Sequence, residues 1–138
     1  MTTKKSNAQR VYDFHEAAGV AMPKRPLIPA TDRVAFRQKL IDEEYKEVTA
    51  VFQQILAQNG SGPEADSHLL AQLAHELSDL LYVTYGAMLA CGVDADAVFA
   101  EVHRANMQKV SGPRRADGKV LKPPDWQPAN VAAIISSQ

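Results

Sequence analysis

Five carboxylates stand on two segments where apolar residues are expected. Glu76 has Leu73 three positions before it and Leu80 four after it, so on a helix it lies within a leucine stripe that should face a core. Asp79 follows at i+3. Glu44 is set in the same way, with Leu40 four before and Val48 four after, and Glu47 follows at i+3 with Val51 four beyond. Each segment thus carries an acidic i, i+3 pair at the margin of its apolar stripe, and Glu43 adds a fifth carboxylate one turn before Glu47. Carboxylates facing one another inside a bundle repel and lose hydration. A divalent cation resolves the conflict, and an oxygen-only donor set favours Mg2+, with Mn2+ as a close substitute. Glu43 on its own reads equally well as a solvated charge; the two pairs together argue for a metal. A di-iron centre in a bundle uses Glu-x-x-His pairs. The spacings here are Glu-x-x-Glu and Glu-x-x-Asp, and His75 directly precedes Glu76 and cannot share its face.

A second constellation is basic. Arg104, Lys109, Arg114, Arg115, Lys119 and Lys122 lie close together in sequence, interrupted only by Asp117. Asn106 and Lys109 form an i, i+3 pair, and the following Ser111-Gly112-Pro113 is turn-forming. Such a segment can fold over a polyanion through Lys, Arg and backbone N–H donors, although each residue alone also reads as solvated loop. Metal-binding acids beside phosphate-binding bases imply phosphoryl chemistry. The metal polarises the phosphate and activates water, a spare carboxylate takes the proton, and Glu43 is the nearest spare. Phe14, His15 and Trp126 have the chemistry to stack on or hydrogen-bond a base, or to pack at a core edge. Walker A, GxGxxG and Gly-x-Ser-x-Gly patterns are absent, and Cys91, beside Ala90, reads as a packing residue.

Helices must position these groups. Ser6 caps a first helix over about 7–18, stopped by Gly19. Pro23, Pro26 and Pro29 mark a linker. Thr31 or Asp32 caps a long second helix that ends near Asn59-Gly60, with Leu40, Ile41, Val48, Val51, Phe52 and Ile55 at helical spacing. A loop covers 60–66, and a third helix runs from Ser67 to Cys91-Gly92 with Leu69, Leu70, Leu73, Leu77, Leu80 and Leu81 on a wide face. Asp94 caps a fourth helix to about Lys109, with Val98, Phe99 and Val102 inward; a short helix follows over 129–135. No strand pair is expected. The fold class is all-α, a helical bundle with a four-helix core and a basic C-terminal loop. The apolar faces exceed what one chain covers, so a second chain is expected to complete the core.

The 138 residues, 46% hydrophobic and 22% charged, fit a single domain over 1–138. Fifteen Lys and Arg against sixteen Asp and Glu exclude a general nucleic-acid-binding coat. No apolar run is long enough to span a membrane. The polar start from Met1 to Arg10 lacks a signal-peptide centre, and the single cysteine fits a reducing cytoplasm.

Glu43-Glu44-Tyr45-Lys46-Glu47 followed by Glu76-Leu77-Ser78-Asp79 resembles the EExxE…ExxD signature of the MazG-like all-α nucleotide pyrophosphohydrolases. That superfamily includes phosphoribosyl-ATP pyrophosphohydrolase and the dimeric dUTPases. HELSDLLYVTYG (75–86) and FAEVHRANMQKVSGPRRADGKVLKP (99–123) are similar to a compact subgroup that prefers dUTP. The resemblance implies hydrolysis between the α- and β-phosphates, with dUTP as the first substrate and phosphoribosyl-ATP as the alternative. It implies Mg2+ or Mn2+ held by Glu44, Glu47, Glu76 and Asp79, with Glu43, Glu44 and Glu47 in the catalytic step. Phosphate contacts would come from Asn106, Lys109, Arg114, Arg115, Lys119 and Lys122. A base pocket near the first helix would use Phe14, His15 and Asn106. A homodimer or homotetramer is implied, with no nucleic-acid or membrane partner. The reading from a different class is a non-catalytic helical module that binds a nucleotide or a partner through the basic loop.

Overall fold

A computed structural model describes residues 2–58 and 67–138. Within them lie five helices: α1 (Asn7–Ala17), α2 (Thr31–Ala57), α3 (Ser67–Ala90), α4 (Ala95–Met107) and α5 (Val131–Ser136). The all-α class holds. Among the described residues the only sheet-like pairing is an isolated antiparallel bridge between Arg114 and Val120. The expected loop over 60–66 and the Asn59-Gly60 helix stop lie outside the described residues.

The helix starts follow from local hydrogen bonding. Ser6 accepts from the Gln9 backbone N–H at 3.1 Å, and the Gln9 side chain accepts from the Ser6 N–H at 2.8 Å, a reciprocal capping box. Asp94 caps α4 by accepting from the Ala97 N–H, and Asn130 caps α5 by accepting from that of Ala133. α2 departs from expectation. Its N-cap is Ala30, extended at ψ 151°, and Thr31 is already helical. Ala30 follows Pro29, and its carbonyl accepts from both Arg33 and Val34, which starts the first turn without a side chain. Asp32 instead accepts from the Arg33 N–H inside that turn.

α2 and α3 form the main packed pair, α1 lies against α3, and α4 packs chiefly on α5 and lightly on α3. Glu101 of α4 accepts from Arg104 through two nitrogens and from the Asn130 backbone N–H, which ties α4 to the start of α5. The hydrogen bond from Arg104 is the main reason its carboxyl falls to about 2.

The buried apolar residues are Ala8, Val11, Val48, Val51, Leu69, Ala90, Ala95, Val98 and Ala105. Five expected core residues, Phe52, Leu70, Leu77, Leu81 and Phe99, are instead exposed. The reason is geometric: among the described residues, the packing of α2 on α3 and of α1 on α3 leaves Phe52, Leu70, Leu77 and Leu81 largely open, and Phe99 lies on α4, which packs chiefly on α5. The chain exposes 10,089 Å2, against about 7,000 Å2 for a compact monomer of this mass.

A charge sits in the α1–α2–α3 contact. Arg37 is 8% exposed. Its Nη1 donates to His15 Nε2 at 3.2 Å, while His15 Nδ1 bonds to the Val11 carbonyl at 2.8 Å. Gly86 of α3 makes room for the pair, since a Cβ there would lie 2.9 Å from Arg37 Nη1. Burial, then the charge of Arg33, lowers the Arg37 pKa.

Candidate active site

Glu44 on α2 and Glu76 and Asp79 on α3 come together. Each offers an oxygen, and the three oxygens lie within 4.8 Å of one another. All three residues are partly buried. The i, i+3 spacing places Glu76 and Asp79 on adjacent turns of α3, and packing of α2 on α3 brings Glu44 across to them. The Glu44 carboxyl is held above its ordinary value, first by loss of solvent, then by the charges of Asp79, Glu76, Glu47 and Glu43 in that order. Glu47 and Glu43 therefore act on Glu44 through their fields but lie outside the converging three. Both are exposed, and Glu43 makes a loose ion pair with Lys39 at 3.9 Å. His75 lies on the outside, with Nε2 3.1 Å from Asp79 Oδ2.

Three converging carboxylates with no nitrogen or sulfur donor suit a hard divalent cation. Their mutual repulsion has a measurable sign. Glu44 binds its proton more tightly folded than unfolded, so its contribution to stability is full at low pH. That contribution shrinks as pH rises through the ordinary carboxylate value toward the raised one. The unfolding midpoint of the metal-free protein is therefore expected to fall across that window, and Mg2+ should restore it more at neutral pH than at acid pH. Thermal melts in EDTA and in Mg2+ across pH check this; the same pH response in both would remove the link between cluster and metal.

The basic residues divide. Arg115 donates to Asp117 through two nitrogens at 2.8 and 2.5 Å, bracing the turn around Gly118. Arg104 is held by Glu101. Lys109 donates to Asn106 Oδ1 at 2.9 Å, so this i, i+3 pair forms although α4 has ended at Met107. Arg114 donates to the Gly112 and Val110 carbonyls at 3.3 Å. Lys119 and Lys122 are exposed. Among the described residues, no hydrogen bond or ion pair joins this segment to the carboxylates.

Phe14 is exposed and meets Tyr82 edge-on, with centroids 5.6 Å apart. Beside Tyr82, a groove between α1 and α3 is lined by Asn7, Arg10, Val11, Ser78, Leu81 and Tyr85. Ser78 also lines a separate shallow depression with His75 and Asp79. His15 is buried with both ring nitrogens engaged. Arg37 was missed by the sequence reading. It stands seven residues before Glu44 and four before Ile41 on the α2 stripe, so the test that singled out Glu44, a charge on an apolar face, would have found it.

A family model described as phosphoribosyl-ATP pyrophosphohydrolase matches residues 11–106, from α1 to the end of α4. The chain belongs to the phosphoribosyl-ATP pyrophosphohydrolase family. The match contains all five acidic residues and ends at Asn106, before the hairpin that follows α4. No curated protein matches the chain. Family membership makes the all-α fold that of a nucleotide pyrophosphohydrolase and accords with a divalent-metal requirement. Among the described residues, no single helix is long and apolar enough to cross a membrane.

Proposed function

We propose that this chain is a metal-dependent pyrophosphohydrolase that cleaves a nucleotide between its α- and β-phosphates and releases pyrophosphate. The observation that carries the proposal is the convergence of Glu44, Glu76 and Asp79 within 4.8 Å. Those three residues, with Glu47 joining from α2, would hold Mg2+ or Mn2+. When bound, the ion supplies charge neutralisation at the phosphate and acidifies water. Glu43, exposed and only loosely paired, takes the proton from the attacking water. Lys109, Arg114, Lys119 and Lys122 bind the phosphates, and Arg115 shapes their loop through Asp117. Phe14 borders the base groove, and His15 keeps α1 in place beside it. A second copy covers the exposed leucines of α3 and completes the site; the surface in excess of a compact monomer supports this.

The family description favours phosphoribosyl-ATP as substrate. The second reading is dUTP, carried by the likeness of segments 75–86 and 99–123 to a dUTP-preferring subgroup. Pyrophosphate release from phosphoribosyl-ATP, dUTP, dCTP, dTTP and UTP, each with Mg2+, decides between them. One substrate is expected to lead the others by about tenfold or more in kcat/KM, the discrimination that a hydrogen-bonding pocket readily exceeds. Inactivity toward the whole set would leave the non-catalytic binding module.

A further inference from the structure

We propose that Trp126 is a positioning residue that holds Lys109 and Lys122 together as a two-pronged receptor for the diphosphate part of the substrate. The inference rests on the reading of the basic segment as phosphate-binding, and concerns residues beyond the family match. Lys109 Nζ and Lys122 Nζ each lie 4.9 Å from the centroid of the Trp126 ring. Two ammonium groups at that distance from one point can be no farther apart than twice that distance, within the reach of one polyphosphate. Neither lysine is in an ion pair among the described residues, whereas Arg104 and Arg115 both are. Two unpaired cations on flexible stems repel and would spread apart. The negative face of the indole attracts both and offsets that repulsion without neutralising either.

The indole is itself held. Its Nε1 donates to the Ala105 carbonyl at 2.6 Å, and Ala105 is 2% exposed on α4. The Trp126 N–H also donates to Pro123 O at 3.1 Å, next to Lys122. Lys109 is steadied from its own side by Asn106. The ring therefore joins the turn just after α4, which carries Lys109, to the segment beyond the Arg114–Val120 bridge, which carries Lys122. A carboxylate in place of the indole would also gather the lysines, but it would compete with phosphate for them. An aromatic ring gathers them without using their N–H donors, so Lys122 and the donors of Lys109 not given to Asn106 remain for an anion, and less ordering is lost on binding.

The test is calorimetric titration of inorganic pyrophosphate into the full-length protein, with kinetics alongside. Trp126→Leu removes the ring and should weaken pyrophosphate binding by roughly 5- to 30-fold, the loss expected for two exposed cation–π contacts. KM should rise in parallel while kcat changes little. Trp126→Phe keeps a ring but loses the N–H donor; it should stay within about threefold of wild type in binding, even if its thermal midpoint falls. Equal losses in both variants would mean that only the Ala105 anchor matters and would overturn the proposal, as would unchanged binding in Trp126→Leu. Should Trp126→Leu not fold, the wild-type protein still decides, because Trp126 is its only tryptophan. Its fluorescence should change saturably with pyrophosphate, and the change should vanish in the Lys109→Met, Lys122→Met double variant; no change in wild type overturns the proposal. A wild type that binds pyrophosphate yet hydrolyses no nucleotide would retire the enzyme reading and leave the receptor standing. Hydrolysis with an indifferent Trp126→Leu would do the reverse.

Discussion

Glu76→Ala is expected to lose pyrophosphate release by about a hundredfold or more while the protein stays folded. Even outer partners of a metal commonly carry about 10- to 100-fold in affinity or activity, and Glu76 belongs to the converging group itself. The same substitution removes one of the charges that raise the Glu44 pKa. Relief of that repulsion should leave the metal-free protein as stable as wild type or slightly more so. Opposed changes in activity and thermal midpoint mark a residue whose position is costly to the fold and useful to a cation. If activity survived within a few-fold, the cluster would not be the metal centre. If activity and midpoint collapsed together, Glu76 would be holding the helices rather than an ion.

The second large effect is on stability. Gly92→Ala is expected to lower the thermal midpoint by about 10 °C or more. Gly92 sits at φ +67°, and a Cβ there would lie 2.1 Å from the Arg25 carbonyl oxygen, a contact with backbone that no rotamer relieves. A left-handed non-glycine residue alone costs about 1–3 kcal/mol, and for a chain of this size each kcal/mol moves the midpoint by several degrees. The clash adds to that. Gly92 joins α3 to α4 just after Cys91, whose carbonyl accepts from the Leu27 N–H. The variant should therefore loosen the 22–30 linker, visible as faster amide exchange at Leu27. An unchanged midpoint would mean that the linker moves aside freely.

Much of this was legible in the chain. The Ser6 and Asp94 caps and the acidic i, i+3 pairs were readable because each depends on neighbours within one or two turns. Glu44 meeting Glu76 was also legible, since a carboxylate on an apolar stripe has few places to go except toward another helix. Three things were not. The N-cap of α2 is Ala30, whose backbone carbonyl takes the first N–H groups with no side chain involved, so the polar Thr31 and Asp32 pointed one or two residues too far along. Leu70, Leu77 and Leu81 were correctly seen as apolar, and the stripes as wider than one chain covers, but the pattern cannot say which leucines its own chain leaves open. Arg115 and Arg114 look alike in sequence, yet Asp117 claims only the former because a tight turn brings it there.

Under the proposed pairing with a second copy, those uncovered leucines would change what stability means for this protein. When apolar surface is buried only against another copy, folding and association become one equilibrium, and the folded fraction depends on how much protein is present. On the proposal that a second copy covers them, a substitution at Leu77, one residue from Glu76 in sequence but on a different face of α3, would silence the carboxylates without touching them, simply by letting the copies part at low concentration.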